Sequence, residues 1–144
     1  MNVLDRTSIA VGRGLVAGAA ATAAMTVAST AEMKLRRRPP SQAPAEVAAK
    51  LLGVEPRSER FGVIAHVSMG VGLGAVRGLL DLAGLRGTAA AGAFFAIAWT
   101  PDLVLVPVAG AAEPPWRWGA AEVAISALHH AVYAAAGEAT YRAL

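Results

Sequence analysis

Residues 88–110 hold a proline and a carboxylate, in the order Trp99-Thr100-Pro101-Asp102, within an apolar run that carries no other charge. About 23 residues at about 1.5 Å each suffice to cross a hydrocarbon core of roughly 30 Å. Such a run reads as membrane-spanning. With 144 residues the chain is one domain, and 56% of it is hydrophobic against 16% charged. That balance excludes disorder and exceeds what a soluble core of this size needs, so the expectation is an integral membrane domain spanning residues 1–144.

Pro101 cannot donate to the Ile97 carbonyl, and its ring disfavours helical geometry at Thr100. Thr100 also suits an N-cap, Pro101 a first helical position and Asp102 a first turn, where the helix dipole favours negative charge. The local chemistry therefore predicts an interrupted span, with half-helices over 87–99 and 101–108. Broken helices at membrane depth line sites in transporters, whereas a simple kink would have Asp102 satisfied by a neighbouring helix.

Three more apolar stretches complete the expected fold class: an all-α, four-transmembrane-helix bundle with the third helix interrupted at Pro101. The spans fall at about 14–33, 61–80, 88–110 and 120–141. In the first, Gly14, Gly18, Thr22, Thr26 and Thr30 recur every four residues and form one narrow face. Gly70, Gly74 and Gly78 repeat that spacing in the second span and make it the natural partner. Arg6, Arg13 and the small residues Ala28-Ser29-Thr30-Ala31 also fit a signal peptide, although the chain is expected to retain this stretch as a helix.

Lys34, Arg36, Arg37 and Arg38 stop the first helix at a headgroup layer, and Pro39 and Pro40 end it. Residues 44–52 then read as a short interfacial helix. Val47, Leu51 and Leu52 lie at helical spacing, Glu46 and Lys50 stand four apart, and Gly53 suits the cap. Arg77 lies where it can snorkel to an interface. Trp116, Arg117 and Trp118 beside Pro114 and Pro115 have the composition of an interfacial belt. In the last span Ala127, Ala131, Ala135 and Ala139 make a smooth face, Glu122, Ser126, His130 and Tyr133 a polar stripe, and Glu138 and Arg142 a pair four apart.

Basic residues divide as Arg6, Arg13, Arg77, Arg86 and Arg142 on one membrane face against Lys34, Arg36, Arg37, Arg38, Lys50, Arg57, Arg60 and Arg117 on the other. The excess weakly places both termini outside the cytoplasm. The net charge of +3 does not point to nucleic acid, because these residues sit beside apolar runs with few aromatics among them. With no cysteine, the chain has neither disulfides nor thiolate chemistry.

His66, Asp102, Glu122 and Glu32 fall toward the same face of the membrane, with His129 and His130 deeper. Ionisable groups at such depth should turn inward and pair, which makes His66, Asp102, Glu122, His130 and Glu32 the candidate intramembrane polar site. It could relay protons or bind a divalent transition metal. For a metal there is no HExxH and no Glu-x-x-His pair, and His129 and His130 point about 100° apart on a helix. No nucleophile with a neighbouring base, phosphate loop or cofactor fingerprint appears, so no cofactor and no enzymatic activity is expected. The remaining reading is a buried hydrogen-bond network that fixes helix register.

The order of these features resembles the YagU-like family of small bacterial inner-membrane proteins. The resemblance rests on Gly14-Leu15-Val16-Ala17-Gly18, the exit from Glu32 to Pro40, His66 in the second helix, Pro107 followed by Gly110, and Glu122 with His129 in the last. It implies a four-helix protein of the inner (plasma) membrane and supplies no mechanism. The leading expectation is thus a non-enzymatic membrane protein acting by helix-helix association, as a homo-oligomer or an accessory subunit of a larger complex. The alternative is a small transporter or proton- or metal-ion-handling protein. An exposed small-residue face favours the first, a hydrated cavity reaching Asp102 the second. A lipid-acting enzyme, with a lateral opening beside the histidines, is a third.

Overall fold

Asn2 accepts the amide of Asp5 on its side chain at 2.8 Å, and Asp5 returns a bond to the Asn2 amide at 3.2 Å. This capping box starts a helix well before the expected span, because it satisfies two of the four orphan amides of a helix N-terminus. The first helix, α1, therefore runs Val3–Arg36 rather than 14–33. The computed structural model describes residues 2–55 and 58–144, so Arg57 and Met1 lie outside the described residues. It continues with α2 (Ala43–Leu52), α3 (Glu59–Leu82), α4 (Gly87–Val108), a single 3-10 turn at Pro115–Arg117, and α5 (Ala120–Ala143). No strand occurs among the described residues.

Three of these helices, α1, α3 and α4, are long and apolar enough to cross a membrane. The fourth expected span, 120–141, lies in a helix of 24 residues with no stretch apolar enough to match theirs, because it carries Glu122, His129, His130 and Glu138. Within the apolar segments of α1, α3 and α4 only 28%, 22% and 22% of residues are buried inside the protein. Val27, Ile64, Val108 and Leu128 are each more than half exposed. That much uncovered apolar surface matches lipid as the surrounding solvent.

The glycine rows on α1 and α3 meet each other. A Cβ built on Gly14 would lie 2.5 Å from the Gly74 carbonyl oxygen, and one on Gly18 would lie 2.7 Å from that of Val71. Gly78 sits against the backbone of Ala10, and Gly70 against the side chain of Thr22. Where only backbone separates two helices, any added side chain is an overlap. α5 closes the other side of α1 and also packs on α4. Phe94, Ala98, Tyr133 and Ala134 surround Ala21 there, with the Phe94 and Tyr133 ring centroids 5.3 Å apart.

The expected interruption at Pro101 is absent: α4 is one helix with both Pro101 and Pro107 inside it. Instead of capping a restart, the Thr100 hydroxyl donates to the Ala96 carbonyl at 2.8 Å. The reason is comparative. A proline in a continuous helix costs about 3 kcal/mol, whereas a break in apolar surroundings would strand several backbone groups at several kcal/mol each. α2 buries Ala45, Val47 and Ala49 and ends at Gly53 with φ +65°. Lys50, which stands four residues from Glu46, reaches the Ala109 carbonyl at the end of α4 instead, at 3.3 Å.

Candidate functional site

Polar side chains gather at three levels along the bundle. At the end where α1 finishes and α5 begins, Arg38 holds both oxygens of Glu32 through its Nε, at 2.9 and 3.0 Å. Arg36 donates one guanidinium nitrogen to Glu32 at 3.2 Å and another to Glu122. Glu32 and Glu122 are therefore linked through one arginine, which ties the exit of α1 to the first turn of α5. Both carboxylates are matched there by basic side chains, as befits a headgroup layer.

Halfway along, hydrogen bonds run in one direction only. Trp99 Nε1 donates to Ser126 Oγ at 2.9 Å, and that hydroxyl donates onward to Asp102. Asp102 thus finds its partner on α5, and the two bonds fasten α4 to α5 on either side of Pro101. His130 Nδ1 lies 2.9 Å from the Ser126 carbonyl, which can only accept, so this nitrogen carries the proton. Thr26 gives its single hydroxyl hydrogen to the Thr22 carbonyl at 2.8 Å. Its oxygen therefore accepts from His66 Nε2, 3.2 Å away. His129 is buried with Nε2 unpartnered. The five site residues expected from sequence are divided among these partners. Among the described residues no three His, Asp or Glu side chains converge to hold a metal ion.

At the opposite end lies a cluster that sequence reasoning missed. Arg77 does not snorkel: it is 2% exposed and its Nε donates to Glu138. Glu138 is thereby committed to α3 and not to Arg142. The guanidinium carbons of Arg77 and Arg13 lie 4.2 and 4.6 Å from the centroid of the Tyr141 ring. Arg13 also donates to the Tyr141 carbonyl at 2.9 Å, and the Tyr141 hydroxyl stands 3.4 Å from Asp81. A cavity of about 450 Å³ opens here, lined by Arg13, Arg77, Arg86 and Arg142 with Asp81 and Glu138. The signal for Arg77 was its spacing. It stands three residues after Gly74 and one before Gly78, on the face that α3 turns toward α1 rather than toward lipid.

Compared with family models, curated proteins and solved structures, the chain matches none.

Proposed function

We propose that the protein is a non-enzymatic, four-span integral membrane protein of the bacterial inner (plasma) membrane that acts by lateral association of α5 with a second copy of itself. Support for the fourth span comes from the two ties that hold α5 alongside α1. Arg36 binds Glu122 at one end, and Arg13 binds the Tyr141 carbonyl at the other. The stretch of α1 between these ties rises about 34 Å, the thickness of a hydrocarbon core. A membrane crossed by α1 is then crossed by α5, whose His129, Tyr133 and Glu138 are buried inside the bundle. The resemblance to the YagU-like family and the helical spans are what support the inner membrane.

The observation that carries the association is the outward face of α5. The glycine rows of α1 and α3 are used up against each other, whereas Ala131, Ala135 and Ala139 are exposed in one row. Small side chains in a row let a second helix approach closely in lipid, and an identical row is its own complement across a two-fold axis. The ion-handling alternative has less to stand on, because Asp102, His66 and His130 are already hydrogen-bonded within the bundle.

Since the chain has no cysteine, single-cysteine variants give a clean test. Oxidation in native membranes should yield a disulfide-linked dimer for Ala135→Cys and none for Ile64→Cys, on the outward face of α3. The reading fails if Ala131→Cys, Ala135→Cys and Ala139→Cys all stay monomeric and the particle in detergent has the mass of one chain.

A further inference from the structure

The arginine-lined cavity is not absorbed by helix association, and its charges do not balance. Four arginines face two carboxylates. Glu138 is spent on Arg77, and Asp81 lies 3.7 Å from an Arg86 side chain that is 81% exposed. Among the described residues neither Arg13 nor Arg142 has a carboxylate partner. We propose that this cavity binds a phosphate group, presented either by an anionic lipid headgroup or by a soluble phosphate compound.

Unmet hydrogen-bonding capacity points to the ligand. Arg77 is almost wholly buried, lines the cavity, and leaves its Nη1 without a partner, as Arg13 leaves its Nε. A buried cationic donor requires an acceptor, and a negatively charged oxygen supplies the strongest one. The Tyr141 ring beneath both guanidiniums holds these planar forks in place, so less freedom is lost when they grip an oxyanion. One further group is unpaired: Glu138 Oε1, which can only accept. It would repel the phosphate itself but takes a hydrogen from a hydroxyl on the group that carries it, such as a glycerol. The site lies at the end of the bundle where α3 turns into α4 and α5 ends, within reach of a headgroup layer.

The full-length protein in a neutral maltoside at constant ionic strength provides the test, read as the thermal midpoint against probe concentration. The probes are inorganic phosphate, dioleoylphosphatidylglycerol and dioleoylphosphatidylcholine. Phosphate or phosphatidylglycerol should raise the midpoint along a saturating curve, and phosphatidylcholine should not. Saturation by inorganic phosphate identifies a soluble source; saturation by phosphatidylglycerol alone identifies the lipid. Arg77→Gln risks the fold, so the deciding variant is Arg142→Gln, at an exposed position with no ion partner. It should weaken half-saturation about ten-fold, the loss of one charge-assisted bond. Arg60→Gln, at the far end of α3, should change nothing. The proposal is overturned if no probe saturates, or if Arg142→Gln weakens binding no more than Arg60→Gln does.

Discussion

Arg77 and Glu138 show how burial changes the meaning of a charge. Both side chains are buried between α1, α3 and α5, and each has the other as its ion partner. Truncating one partner leaves the other buried and uncompensated, which typically costs about 3–5 kcal/mol. Glu138→Ala should therefore lower the unfolding midpoint in detergent sharply, and the double variant Arg77→Met/Glu138→Ala should recover a large part of the loss. A double variant as unstable as the single one would show that the charges do not depend on each other. Composition alone suggested that intramembrane charges pair, but not with which partner. Glu138 has Arg142 four residues on along its own helix, and only the packing of α3 on α5 brings Arg77 closer. Asp102 is the opposite case. Its need for a neighbour was legible from its depth, and Ser126 stood on the polar stripe already visible in the last helix.

At the scale of the helices, the pairing of α1 with α3 was the most legible feature, because an every-fourth-residue glycine row has few uses besides close approach. Gly74 and Gly72 give an internal comparison. A Cβ on Gly74 would run into Gly14 and Gly18, while one on Gly72 meets nothing within 4 Å. Gly74→Ala should cost about 1–3 kcal/mol through overpacking. Gly72→Ala should be neutral or stabilise by a few tenths to about 1 kcal/mol, since alanine favours a helix. Equal effects in a denaturation series would mean that α1 and α3 do not touch along this face. The continuity of α4 matches the kink reading, with Asp102 met from a neighbouring helix, and not the interrupted one. Every local signal at Thr100, Pro101 and Asp102 spells a helix start. Those signals are weighed in water, whereas lipid makes a broken backbone costlier than one missing hydrogen bond.

For the molecule as a whole, the sequence predicts four crossings, whereas three helices are long and apolar enough to make one. α5 looked like a span by length and fell short by apolarity, because its polar residues are turned toward its neighbours rather than toward lipid. If α5 also crosses, as proposed, both termini lie on one side and the connection between α1 and α2 on the other. Ser8→Cys and Ala143→Cys should thus react with an impermeant maleimide from the same side of intact cells or inverted vesicles, and Ser41→Cys from the opposite side. Labelling of Ala143→Cys together with Ser41→Cys would remove α5 from the bilayer.

The glycine contact between α1 and α3 has a mechanical consequence. With backbone against backbone there is no rotamer to repack, so the two helices behave as a stiff strut joining the arginine cavity to the Glu32 network. A load applied at one end can tilt this strut but cannot compress it.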